Sequence, residues 1–416
     1  MSRVFITGLG AVTSLGHSVE SLWNALLRGE SGIDRLTRID VTDLPAKVGG
    51  EIRGLEEPPF QLNDRVSWRR MDRATRFAVC AAHQAIAGAG LSDDELRERC
   101  AVVIGSGLCG METLQQQTEI LLTRGARRVS PMTIPLLMPN AAPANVSLAF
   151  GITGPAWTVS GACASSGLAM IEACELLRRG AVDCVITGGT EASLTRLGIA
   201  SFCNMGAMSK RGDDSPQKAV RPFDLNRDGL VMSEGAGLLV VESEESVRRR
   251  GVTPYAELLG AGSTSDAYHL VAPEPSADGA ARAIELALEN SGLTADSVAG
   301  DLYVNAHGTG TEANDVSETR ALKRVFGEAS ERLQISSTKS MTGHLIGAAG
   351  AVESIACVHA LRDGQLPPTI NLETPDPQCD LDYIPRVRRA SDVRFALNNT
   401  FGFGGHNVCL VFGRVS

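Results

Sequence analysis

Two stretches of this chain, set about half its length apart, follow one grammar. Residues 77–107, FAVCAAHQAIAGAGLSDDELRERCAVVIGSG, read as an apolar helix, a Gly-Leu stop, an acidic capping segment and a strand ending in glycines. Residues 281–310, ARAIELALENSGLTADSVAGDLYVNAHGTG, repeat that order, with the Gly-Leu pairs at 90–91 and 292–293, 202 positions apart. A second pair of helices ends in ELLRRG at Gly180 and in HALRDG at Gly364, 184 positions apart. Such a duplication predicts one fold built from two βαβ-rich halves around a pseudo-twofold axis, with equivalent turns face to face. We divide it at 1–250, with Cys163, and 251–416, with His307, Lys339 and His344. At the 184 spacing Cys163 corresponds to Gly347, three residues after His344, so the repeat predicts that His344 lies near the thiol.

The segments Ala164 to Arg179 and Ala348 to Leu361 are apolar on nearly every face. Helices of that kind are buried on all sides, and two of them between sheets imply an α/β fold with five layers, αβαβα. Regions 20–76, 108–150 and 194–235 lack βαβ rhythm and read as cap insertions on the first half, where an entrance and a substrate pocket would lie.

The 416 residues carry a net charge of −9, which argues against general nucleic-acid binding. The start, MSRVFITGLGAVTSLG, does not read as a signal peptide, and no apolar run has the length of a membrane span. The 10 cysteines show neither CxxC pairs nor Cys/His metal spacing, so most read as reduced core fillers of a cytoplasmic protein.

Cys163 is the exception. It sits in TVSGACASSG, where a strand-like run passes through tiny residues into a helix. The free N–H groups of a helix start favour thiolate, and small neighbours let substrate approach the sulfur. Three further glycine-rich turns complement it: VNAHGTGT with His307, STKSMTGHLIG with Lys339 and His344, and NNTFGFGGHN with Phe403. No carboxylate or second thiol stands at ligand spacing to either histidine, which argues against a catalytic metal.

With the Cys-His-His order, HGTGT, KSMTGHLIGAAGAVES and FGFGGHN, the whole chain resembles the β-ketoacyl-[acyl carrier protein] synthases of the thiolase-like superfamily, most closely the elongating synthase II type. The stretch GAGSTSDAYHLVAPEP further resembles the actinobacterial branch. The resemblance implies a decarboxylating condensation that extends an acyl chain by two carbons in fatty acid synthesis, without a cofactor. Cys163 would hold the acyl thioester, and the N–H groups of Cys163 and Phe403 would form an oxyanion hole. His307 and His344, near neutral pKa, would donate from Nε2 to the malonyl carbonyl, and Lys339 would orient His344.

Glu353, too costly to bury unpaired, would join Lys339 or a structural monovalent cation near Asn398 and Asn399. Asp315 and Glu318 would brace loops, and Phe403 would gate entry of the malonyl carrier. Leu108, Ile134 and Phe202 would border the acyl tunnel. An acidic carrier protein bearing acyl and malonyl phosphopantetheine thioesters would dock on Arg65, Arg69, Arg70, Arg73, Arg127, Arg128, Lys210 and Arg211. The family is usually homodimeric. The rival assignment is the catalytic ketosynthase of a type II polyketide synthase, paired with a chain-length factor. GACASSG departs from the commoner threonine-containing turn and leaves that pathway open, whereas FGFGGHN looks more like fatty acid synthases. A silent chain-length factor would lack Cys163, and a thiolase would carry a second cysteine in another setting than Cys409.

Overall fold

A computed structural model of the chain describes residues 3–415. The first half contributes β1 (Val4–Val12), α1 (Arg73–Ala89), β2 (Cys100–Gly105), β3 (Ala156–Val159), α2 (Ser165–Arg178), β4 (Cys184–Glu191) and β5 (Gly235–Ser243). The second contributes β6 (Ala256–Ser265), α3 (Asp278–Asn290), β7 (Leu302–Asn305), α4 (Glu312–Phe326), β8 (Gln334–Ser336), α5 (Ala349–Asp363), β9 (Phe395–Gly402) and β10 (His406–Gly413).

Strand order is β3-β2-β4-β5-β1 in the first half and β8-β7-β9-β10-β6 in the second. The sense of pairing repeats as well: two parallel pairs at the outer edge, then antiparallel pairs inward. The duplication read from the sequence is thus a duplication of topology. The two five-stranded sheets are not separate. A short antiparallel bridge, Phe5 to Glu257 and Ile6 to Ala256, joins β1 to β6 and makes one ten-stranded ladder.

Side chains on a strand alternate between its faces, and the core divides accordingly. Ala101, Val103, Leu239 and Val241 of the first half, with Val408, Leu410 and Phe412 of the second, face inward onto α2 and α5. The alternate residues Val102, Ile104, Leu238 and Val240 pack outward under α1, and Cys409 and Val411 pack under α3 and α4. The layering is αβαβα, with α2 and α5 buried in the centre. The Gly-Leu repeat has a local cause. Gly90 (φ +63°) and Gly292 (φ +70°) are left-handed, and the N–H of the next leucine returns to a carbonyl five residues back, Leu91 to Ile86 and Leu293 to Leu288. That closes each helix with a glycine-dependent cap.

Candidate active site

The nucleophile turn is tight for steric reasons. Ala162 holds a left-handed φ of +51°, a strained conformation for a residue with a Cβ. Ser165 Oγ accepts the Gly161 N–H at 2.9 Å and donates to the Ala162 carbonyl at 2.6 Å. A side chain at Gly161 would collide with Leu168, and one at Gly402 would crowd the Cys163 N–H. Cys163 therefore sits buried between β3 and α2.

The second half supplies the other groups from its strand ends. His307 follows β7, and its N–H donates to Glu318 Oε1 at 2.8 Å. His344 is pinned to the first half through its own N–H to the Val231 carbonyl and the Ser233 N–H to its carbonyl. His344 Nε2 stands 3.1 Å from Cys163 Sγ. One ligand-type atom from each of Cys163, His307 and His344 lies within 4.8 Å of the others, so the thiol and both imidazoles share one place. They line a cavity of about 370 Å³ with Phe401, Phe403, Thr309, Thr311, Asp266 and Asn407.

The outer nitrogens of both rings face donors. Lys339 Nζ lies 3.2 Å from His307 Nδ1, and the Ile346 N–H donates to His344 Nδ1 at 3.3 Å. A neutral ring whose Nδ1 accepts carries its proton on Nε2, so each imidazole presents Nε2–H to the cavity. Metal-bound histidines instead donate their second N–H to an acceptor. The trio has the donor set of a metal site with the wrong surroundings for one.

Burial, joined by the Lys339 charge, pushes both imidazoles well below their usual range. The sequence argued for values near neutrality; the rings are neutral donors because their site is dry and cationic. Burial likewise pushes the Cys163 thiol up to about 11, against the pull of the Lys339 charge and of an N–H hydrogen bond from Phe403. The helix-start thiolate expected from sequence is corrected by that desolvation. Lys339 is also corrected: it contacts His307, not His344, and it forms a buried ion pair with Glu353.

Glu353 Oε2, Asn398 Oδ1 and Asn399 Oδ1 are buried acceptors without a hydrogen-bond partner. The amide of Asn398 also donates to the Gly350 carbonyl on α5, the helix that carries Glu353. Asn398 and Asn399 are successive residues of β9 whose amides turn to opposite faces, Asn398 to α5 and Asn399 to Glu318 on α4, so their side-chain oxygens do not share one place. Asp315 accepts the N–H groups of Phe223 and Gly310, and Glu318 those of His307 and Gly308. Burial raises both carboxyls, Glu318 to about 7.

Phe202 and Leu108 pack in the apolar cluster that holds Cys163, and Phe202 stacks on Phe403 with ring centroids 6.0 Å apart. Ile134 does not join them; it is 62% exposed on the cap, in a short helix with no buried residue. Arg65, Arg69, Arg70, Arg127, Arg128 and Lys210 are exposed, and among the described residues no carboxylate lies within the 4.0 Å of an ion pair with any of them. Arg73 differs, being half-buried and paired with Glu234, and Arg211 pairs with Asp228 at 3.5 Å. Sequence reasoning missed Glu191 and Asp266. For Glu191 the signal was there: a lone carboxylate ends the otherwise uncharged strand CVITGGTE.

A family model described as the N-terminal domain of β-ketoacyl synthases matches residues 1–246, and its C-terminal counterpart matches 255–373. The chain is 46% identical over 411 residues to a 3-oxoacyl-[acyl-carrier-protein] synthase 2 of Synechocystis sp. (strain ATCC 27184 / PCC 6803 / Kazusa), covering 99% of this chain and 97% of that protein. Among solved structures it is similar to the ishigamide ketosynthase/chain length factor, with a TM-score of 0.93, 35% identity and full coverage of both chains. It is also similar to the AntDE:AntF complex of a type II PKS acyl-carrier protein with its ketosynthase, with a TM-score of 0.91, 32% identity and full coverage of both.

Proposed function

Because the chain belongs to the β-ketoacyl synthase family, as a condensing acyltransferase of the 3-oxoacyl-[acyl-carrier-protein] synthase 2 type in fatty acid synthesis, we propose a division of labour among its site residues. Cys163 Sγ attacks the acyl thioester of the carrier. The new S–C bond replaces the bond to the carrier sulfur, and the carrier leaves as its thiol with the Cys163 proton. The N–H groups of Cys163 and Phe403 hold the oxyanion of that step. Malonyl carrier then enters, and His307 and His344 donate from Nε2 to its thioester carbonyl. Carbon dioxide departs, the electron pair of the broken C–C bond forms the enolate, and its carbon attacks the acyl group. Cys163 is released as thiolate and regains a proton. The observation that carries this reading is the occupation of both Nδ1 atoms by donors, which leaves each ring its proton on Nε2 in the cavity of the sulfur, with His344 Nε2 3.1 Å from it.

Lys339 and Glu353 support that arrangement from behind His307, and Asp315 and Glu318 brace the loop after β7. Phe403 gates the entrance against Phe202, and Leu108 and Phe202 border the acyl tunnel. A structural monovalent cation would be held by Glu353 with main-chain carbonyls near Asn398 and Asn399 and would neutralise buried oxygen charge there. The functional halves divide at 250/251, next to the left-handed turn at Gly251.

The acyl carrier protein docks on the unpaired cations Arg65, Arg69, Arg127, Arg128 and Lys210, with Arg211 beside them. A second copy covers the free edge of β3 together with the exposed apolar cap residues Leu114, Leu121, Leu122 and Ile134. No helix among the described residues is long and apolar enough to cross a membrane.

The test is intact-mass analysis after incubation with acyl-carrier proteins of fatty acid and polyketide origin. Acyl mass on wild type, none on Cys163→Ala, and loss of docking in an Arg127→Glu/Arg128→Glu variant are expected. No acylation by any donor would overturn the reading.

A further inference from the structure

The half-chain repeat builds the nucleophile turn twice. Ala162–Ala164 and Ile346–Ala348 are short 3-10 turns at the same place before α2 and α5, and they correspond at the 184 spacing. Ala162 (φ +51°) and Ile346 (φ +47°) are left-handed in both copies, and the same backbone bond closes each, Ala164 to Gly161 and Ala348 to Leu345 at 3.0 Å. In the first copy the Cys163 nitrogen lies beside Gly402, 3.1 Å from where a Cβ on that glycine would stand, and both residues line the cavity. In the second, the equivalent Gly347 N–H donates to Glu191 Oε2 at 3.2 Å.

Glu191 belongs to the first half, at the end of β4, and is wholly buried. Its Oε2 also accepts the N–H of Gly107 at 2.9 Å and of Leu108 at 3.2 Å, and Oε1 accepts the Ser193 hydroxyl at 2.7 Å. Among the described residues no cationic side chain pairs with it. The second copy of the turn thus contains a built-in anion where the first receives the substrate's. A carboxylate held this way locks its donors, because an unmatched buried N–H costs more than a bond gains.

We propose that Glu191 is a positioning residue which, by fixing the Gly347 turn, keeps the Ile346 N–H on His344 Nδ1 and so keeps the His344 proton on Nε2, aimed at the sulfur. Ile346 and Gly347 are consecutive, and the strained φ of Ile346 persists only while its surroundings impose it. Without the carboxylate the turn relaxes, Nδ1 is freed to take the ring proton, and Nε2 becomes an acceptor that cannot stabilise an enolate. The same oxygen holds the Leu108 amide, so it couples the wall beside Cys163 to the histidine of the other half.

The inference rests on His344 acting as a donor in the condensation. Its test reads the ring itself: ¹⁵N chemical shifts of histidine-labelled full-length protein, beside separate assays of malonyl-carrier decarboxylation and Cys163 self-acylation. Wild type should show a single Nε2–H tautomer at His344. Glu191→Ala should show a mixture with Nδ1–H and lose about 10²-fold in decarboxylation, the scale of a small misplacement of a reacting group, with self-acylation little changed. Glu191→Gln can offer one oxygen to the three amides and its NH₂ to Ser193 Oγ, and should restore the tautomer. A folded Glu191→Ala protein with one Nε2–H tautomer, or with equal losses in both steps, would overturn the proposal. If that variant does not fold, Glu191→Asp, one methylene short of Gly347, takes its place, and an unchanged ring and rate there would overturn it equally. His344→Ala, assayed alongside, separates the two claims: wild-type decarboxylation in that variant removes the donor role, whereas the ring shifts still judge Glu191.

Discussion

Lys339 Nζ lies 3.2 Å from His307 Nδ1 and is otherwise committed to Glu353, so the buried ammonium serves the first histidine and leaves the second to a backbone amide. Replacing Lys339 by Met removes the donor that holds the His307 tautomer. Malonyl-carrier decarboxylation should fall in Lys339→Met as it does in His307→Ala, by about 10²-fold or more, with little further loss in the double variant. Independent, multiplying losses in a double-mutant cycle would show that Lys339 acts elsewhere.

The Cys163 thiol should titrate high in the resting enzyme. Burial pushes it up to about 11, while the Lys339 charge draws it down. The rate of Cys163 alkylation by iodoacetamide should keep rising through the alkaline range instead of reaching a plateau near neutrality. Lys339→Met should shift that rise to still higher pH, because it removes a cation that favours thiolate. A plateau below about pH 8, under the ordinary thiol value, would mean that the helix start outweighs burial after all.

The Phe202–Phe403 stack should keep the entrance closed before acylation. An aromatic pair is worth about 0.5–1.5 kcal/mol, so Phe202→Ala should raise the open fraction by about two- to tenfold. The readout is carbon dioxide released from malonyl carrier by enzyme that carries no acyl group. No increase over wild type would assign the pair to packing alone.

Glu318 should make stability depend on pH. Its carboxyl is raised by burial from 4.5 to about 7, so the folded state binds the proton more tightly than the unfolded one. That contribution is complete below the unfolded value and is lost as pH rises through the folded one. Melting temperatures of wild type and Glu318→Gln should therefore differ in slope between about pH 5 and pH 8, with wild type falling more steeply. The full effect is on the order of 3 kcal/mol. Parallel curves would rule the titration out.

Glycines of the repeat should differ sharply in tolerance. An ideal Cβ at Gly347 would lie 2.3 Å from the Gly107 nitrogen, a rigid backbone atom, whereas one at Gly180 meets nothing within 4 Å. Gly347→Ala should lose several kcal/mol or fail to fold. Gly180→Ala should lose only about 1 kcal/mol, from its left-handed backbone. Chemical denaturation of both checks the contrast.

The parts of the fold carried by periodicity and caps could be read from the chain. The two all-apolar helices, the Gly-Leu stops and the spacing that put His344 beside Cys163 are local or repeating signals. What could not be read depended on distance and dryness. Nothing in STKSMTGHLIG tells which histidine Lys339 meets, because both lie within reach of a long side chain. The Cys163 pKa follows from burial among residues distant in sequence, such as Leu36, Ile199, Phe202 and Ile346, which no stretch of sequence around it encodes. Ile134 belongs to a cap helix whose apolar face stays open in a single copy. Glu191 was legible only as a lone carboxylate ending an uncharged strand; three of its four partners are main-chain amides, which leave no trace in residue type.

Phe5 and Ile6 pair with Glu257 and Ala256 across the seam, so the two halves share one hydrogen-bonded sheet at this short bridge. Swinging the halves apart to admit a long acyl chain would tear that ladder and strip both central helices of their cover at once. A chamber framed by one shared sheet leaves the rim, where Phe403 and Phe202 stack, as the part through which a chain would pass.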